Sequence, residues 1–201
     1  DQLGPALFVA VDPETLSPAA QVGDEVSFTV IQKGSNQGRS EVETVGGWTV
    51  VSNDNPVENL VQTVSSATDL VSALDDYAVE LITVDGTLVD DLVYAGSGHQ
   101  QATVETDGIT GEPDLTLRVS DTLLSQVDLE NGCTFTVTQT PLWRYNSRAQ
   151  IMAYDASEIA VNSCPAPQVV SATATGDSTV LLVMSRNIAP SSVLTDGSQF
   201  T

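Results

Sequence analysis

Few side chains in this chain could do chemistry, and the most distinctive set is the run Leu142–Trp143–Arg144–Tyr145, with Arg148 close behind it. Asn131 to Tyr154 contains no Asp or Glu but holds Arg144 and Arg148, in a chain with 27 acidic and only 6 basic residues. Aromatic rings beside guanidinium groups stack on sugars and on bases. Trp143, Arg144, Tyr145 and Arg148 are therefore the candidate ligand surface. The alternative is that the two rings cover the end of a core and Arg144 pairs with one of the many acids. A second set is acidic: Glu105, Asp107, Glu112 and Asp114 fall in one turn-rich stretch. Hard oxygen ligands on a flexible loop suit Ca²⁺, although the spacing is not that of an EF-hand, and a solvated hairpin tip fits equally. No other cofactor is implied. His99 is the sole histidine and lies in the Gly/Ser-rich run GSGHQQ, with no nucleophile elbow near it. No Gly-rich loop leads into a helix to cradle phosphate. These absences point to a chain that is not an enzyme.

The two cysteines, Cys133 and Cys164, show no CxxC or Cys/His spacing, which argues against zinc. They could form one disulfide, closing a loop of about 30 residues and contributing roughly 3–4 kcal/mol in the chain-entropy model, or remain two separate buried thiols. A Thr-, Ser-, Val-, Asp- and Gly-rich composition with little Lys suits an exported, cell-surface or secreted β protein, where a disulfide persists. No basic stretch followed by an apolar run opens the sequence, so any export signal is expected to have been removed. A formal charge of −21 repels phosphate backbones and argues against general nucleic-acid binding. The longest apolar runs, such as Val180–Met184, are far too short to span a bilayer.

The elements that must position these residues read as strands. Short runs rich in Val, Thr, Ile and Phe alternate with Gly, Asp, Asn and Pro clusters. In Glu25–Val30, Val26, Phe28 and Val30 alternate with Glu25, Ser27 and Thr29, the period of a strand with one buried face. Helical spacing is found only over Pro56–Leu74 and Asp121–Val127. An internal repeat organises the chain. VGDEVSFTVIQ, from Val22, aligns without gaps on LENGCTFTVTQ, from Leu129, at an offset of 107. LFVAV, from Leu7, falls on LTLRV, from Leu115, at an offset of 108. RSEV, from Arg39, falls on RAQI, from Arg148, at an offset of 109. The first-copy loop matching the Trp143 region is Lys33–Arg39, basic but without an aromatic ring, so the two copies should not bind alike.

In the second copy, Tyr77-x-x-x-Leu-Ile-Thr-Val-x-Gly-Thr-Leu-Val89 is followed by Leu129-x-x-Gly-x-x-Phe-Thr-Val-Thr-Gln139 and Arg148-x-Gln-Ile-x-x-Tyr-x-x-x-x-Ile159. This order of strand, hairpin, short helix and hairpin resembles the OB-fold modules appended to secreted bacterial nucleases and surface proteins. After Cys164, the segment with Val169–Ala174, Thr179–Ser185 and the Asp196–Thr201 string resembles the start of a bacterial, S-layer-associated Ig-like domain. The resemblance implies an all-β chain in three parts. Residues 1–62 form a partial OB-like barrel lacking its opening strand, 63–163 an OB-like barrel, and 164–201 an incomplete Ig-like β-sandwich. Open barrel and sandwich edges invite strand exchange between subunits. The expected role is a structural or interaction segment of a cell-surface protein, its partners being other copies of itself or other domains of its parent chain. The alternative is an OB-type module that holds a glycan or single-stranded nucleic acid for a secreted enzyme.

Overall fold

Strand-forming sequence dominates, and the computed structural model is all-β over the residues it describes, 6–186 and 188. Among the described residues three sheets are present, and none closes into a barrel. The first joins β1 (Phe8–Val9), β2 (Glu25–Asn36) and β3 (Arg39–Ser52) in the order β1-β3-β2. The second contains β4 (Gln62–Thr63), β5 (Leu81–Leu88), β6 (Val93–Gly96), β7 (His99–Glu105), β8 (Leu115–Ser120), β9 (Thr134–Pro141), β10 (Trp143–Tyr145), β11 (Arg148–Met152) and β12 (Ile159–Ser163). Its order is β10-β11-β8-β7-β5-β9-β12, with β4 added on β5 and β6 on β7. The third is a hairpin of β13 (Val169–Gly176) and β14 (Thr179–Met184). Among the described residues no helix is long and apolar enough to cross a membrane.

The core belongs to the second sheet. Ile82, Val84, Val104, Leu115, Leu117, Val119, Phe135, Val137 and Ile151 are all fully buried. They recur at every second position of their strands, which is what bending one pleated sheet around a common interior requires. Between β8 and β9 the short helix α2 (Asp121–Leu124) is capped by Ser120, whose hydroxyl accepts from the Leu123 amide, and Leu123 seals the interior. The expected helix over Pro56–Leu74 is not formed. A single 3₁₀ turn, Val57–Leu60, is followed by the β4 ladder on β5, and α1 is only Leu74–Tyr77. The β-branched Thr63 and Val64 pair with the sheet instead, and Val64, Leu70 and Leu74 reach the core from successive turns. Their helix-like spacing was shared by a different solution.

The repeat is folded into matching registers. The parallel pair β1–β3 sets Phe8 opposite Glu41 and Val9 opposite Val42, and the parallel pair β8–β11 sets Thr116 opposite Gln150 and Leu117 opposite Ile151. These are the partners that the offsets of 108 and 109 prescribe. The hairpins agree as well: Asn36 faces Arg39 as Tyr145 faces Arg148. What differs is enclosure. Among the described residues before Gln62, only Arg39 and Val42 are buried. Phe28, the partner of the fully buried Phe135, is half-buried and stacks on Trp48 with ring centroids 5.9 Å apart.

Cys133 and Cys164 are joined in a disulfide that ties the entry to β9 to the end of β12. Arg186 reaches back from the third sheet to the Asp128 carboxylate and the Pro165 carbonyl. The second-strand expectation, Thr179–Ser185, is met by β14 to within one residue, while the Asp196–Thr201 string lies outside the described residues. Because enclosure separates the two copies, truncation should discriminate between them. Phe135→Ala is expected to cost about 3–5 kcal/mol and Phe28→Ala less than half as much, read as urea unfolding midpoints. Equal losses would contradict the packing described.

Candidate functional site

The candidate site is built on the β10–β11 hairpin and the neighbouring face of β7 and β8. Antiparallel pairing sets Trp143 opposite Gln150 and Tyr145 opposite Arg148. The pleat turns these four to one face and Arg144 to the other. Arg144 consequently leaves the cluster: it pairs with Asp75, and its Nε donates to the Asn146 carbonyl at 2.9 Å. In its place β8 contributes Arg118, which sits opposite Gln101 of β7. Trp143, Tyr145, Arg148, Gln150, Gln101 and Arg118 line a cleft of about 210 Å³. Arg148 Nε lies 3.4 Å from Asp114. Arg118 donates to the Gly96 carbonyl at 3.3 Å and has no carboxylate partner among the described residues.

Trp143 also has a structural use that neither sequence reading foresaw. The buried guanidinium of Arg39 lies 3.9 Å from the Trp143 ring centre and 4.2 Å from that of Phe8. Phe8 and Trp143 meet edge to face, with centroids 5.5 Å apart. The first copy is thus docked on the second through the indole that also walls the cleft. Beside it, the Asn146 amide donates to the Gln37 carbonyl, joining the two hairpin tips.

The acidic set is not gathered into an ion site. No group of three or more potential metal ligands occurs among the described residues. Glu105 accepts from the Gly111 amide, Glu112 from the Asp114 amide, and Asp114 from Ser147 while facing Arg148. Three of the four carboxylates therefore act as turn caps or ion-pair partners, and the segment is a self-satisfied loop. The ring nitrogen Nδ1 of His99 lies 2.8 Å from the Ser97 carbonyl in the β6–β7 turn.

Arg118 and Gln101 were missed because each is the one cleft residue of its strand, while Gln150 stands two positions from Arg148 on β11 and period two would have placed it on the same face. The available signal was alternation: in Leu115–Ser120, Leu115, Leu117 and Val119 are fully buried, which assigns Arg118 to the outward face. Comparison with known proteins finds no matching family model, no matching curated protein and no matching solved structure.

Tyr154 lies near the cleft, and its ionisation is pushed above the ordinary tyrosine value, chiefly by partial burial and then by the Glu158 charge, with Arg39 and Arg118 pulling the other way. The folded state therefore holds this proton longer than the unfolded chain does. Its contribution is complete below pH about 10 and is lost as pH rises through the folded value. Tyr154→Phe is expected to make the alkaline fall in the urea midpoint shallower while leaving the neutral midpoint nearly unchanged. An unaltered alkaline limb would contradict the stated environment.

Proposed function

We propose that this chain is a non-catalytic structural and interaction segment of an extracellular, cell-surface protein. It consists of two OB-like units, the first short of its opening strand, followed by the beginning of an Ig-like sandwich. The OB-like reading of 63–163 is supported by the antiparallel succession β5-β7-β8, the parallel β8–β11 pair, the helix α2 between β8 and β9, and the return of β9 to β5. The disulfide supports an oxidising compartment.

The observation that carries the reading is the β13–β14 hairpin. Val169, Val170, Val180, Leu181 and Val183 are 46–65% exposed. A two-stranded hairpin is marginal by itself in water, and clustered exposed apolar side chains mark an interaction surface. Strand addition or sheet stacking by further subunits or domains would cover it, in a fibre or surface layer. Solution scattering over a concentration series tests this. The expected result is a mass that rises with concentration, and Val180→Asp with Val183→Asp should abolish the rise. A monomer throughout the series would contradict self-association.

A second reading, a ligand-binding OB-type module, is favoured by the Arg118 cleft: an aromatic-walled hollow with two arginines in a chain of charge −21. The ligand it suits is a glycan bearing carboxylates. Titration with a hexuronate oligosaccharide should show binding that Arg118→Ala weakens about tenfold or more, the scale of a lost charged hydrogen bond. Affinity unchanged by that substitution would refute it.

A further inference from the structure

The cleft beside Trp143 is one end of a longer surface. Strands β6, β7, β8, β11 and β10 pair side by side, and their register carries two rows of side chains across the sheet. One row runs Thr103, Thr116, Gln150, Trp143, and the other Val93, Gln101, Arg118, Met152. Alternation turns both rows to the same outer face. On that face the Arg118 cleft adjoins a second hollow of about 290 Å³, walled by Asp90, Asp91 and Thr103 and floored by Thr116. Gln101 and Arg148 line both hollows. Thr116 is only 3% exposed, and its hydroxyl has no hydrogen-bond partner among the described residues. Charge is divided along the same line. Asp90 accepts from the Thr103 amide at 2.7 Å and Asp91 from the Asn131 side chain at 3.3 Å. Among the described residues neither carboxylate pairs with a cation, just as Arg118 pairs with no carboxylate.

We propose that the two hollows form one groove for an acidic amino-sugar oligosaccharide, in which a uronate is linked to a hexosamine bearing a free amine. This rests on the ligand-binding reading above and adds to it a second subsite and a sugar class. Arg118 faces the uronate carboxylate, Asp90 and Asp91 face the ammonium of the neighbouring sugar, and the Thr116 hydroxyl meets a ring hydroxyl between them. A glycan suits the groove because it lies on the face of a sheet. The main-chain groups of β7, β8 and β11 are engaged in ladders on both sides, so an extended peptide finds no strand to pair with and recognition falls to side chains. Those present are Thr hydroxyls and Gln amides, which both donate and accept as sugar hydroxyls do, and the rings of Trp143 and Tyr145. The mixed charge of the ligand follows from the whole chain as well. An oligosaccharide with equal numbers of carboxylates and ammonium groups approaches a chain of −21 without the repulsion that a pure polyuronate meets.

The test is calorimetric titration of the whole chain with three tetrasaccharides: alternating hexuronate and hexosamine with free, protonated amines; the same with the amines acetylated; and hexuronate alone. The free-amine probe is expected to bind about tenfold or more tightly than the acetylated one, the scale of a charged hydrogen bond, and Asp90→Asn with Asp91→Asn should erase that difference. Thr116→Val should weaken the free-amine probe about threefold or more without lowering the urea midpoint, since its hydroxyl has no partner to lose. Equal affinity for the free-amine and acetylated probes overturns the inference. So does a Thr116→Val variant that loses stability and keeps its affinity, which would give the hydroxyl a structural role. The two levels fail separately. Hexuronate binding that Arg118→Ala weakens, with no preference for the amine, retains the Arg118 cleft and loses the second subsite. An amine preference that survives Arg118→Ala, with hexuronate alone unbound, retains the second subsite and loses the cleft. No binding of any probe overturns both.

Discussion

The first sheet is docked on the second chiefly through one arginine. Arg39 is only 5% exposed, lies between the Phe8 and Trp143 rings, and is neutralised by Glu41 at 3.0 Å, while its Nε has no hydrogen-bond partner. A desolvated cation between two π-faces contributes on the order of 2 kcal/mol, and a guanidinium does this where an ammonium would not stack equivalently. The first sheet has little else. Apart from Arg39, Val42 is its only buried residue among those described, so its strands are anchored by docking more than by a core of their own. The hairpin tips add one main-chain bond, from the Asn146 amide to the Gln37 carbonyl.

Much of the architecture was legible in the sequence because strand signals are local. The alternation in Glu25–Val30 reports burial directly, and the three repeated strings prescribe register pairs that the two parallel ladders satisfy. The disulfide was one of two readings left open, and the strands that bring Cys133 and Cys164 together decide it. Pro56–Leu74 was misread because Val64, Leu70 and Leu74 meet the core at intervals that a helix would also produce; only the ladder with β5 distinguishes the two. The candidate ligand face was legible in half its members. Trp143, Tyr145 and Arg148 share a face as period two requires, and the same rule removes Arg144. Gln150 follows from the same rule, two positions after Arg148, whereas Arg118 and Gln101 come from strands apart in sequence and no local pattern brings them to the hairpin. In so acidic a chain, turn caps and ion pairs draw on the same residue types as a cation site, as Glu105, Glu112 and Asp114 show.

The charge balance and the exposed hairpin belong to one design problem. A chain of −21 whose described residues leave an apolar hairpin exposed is protected from indiscriminate aggregation by self-repulsion. Positive charge is concentrated where the copies dock and where the cleft opens, in Arg39, Arg118, Arg144 and Arg148. The third sheet is tethered by Arg186 to Asp128 and Glu130. Arg39 and Arg186 thus mark junctions between units, and Arg118 and Arg148 the cleft.

The central claim is that the two copies are docked as one body through Arg39. Residual dipolar couplings measured in a single weakly aligning medium test it directly, using the amides of β2 and β3 together with those of β8 and β11. One alignment tensor is expected to fit both sets in the native chain, with separate tensors required after Arg39→Ala. Two tensors in the native chain would contradict the account.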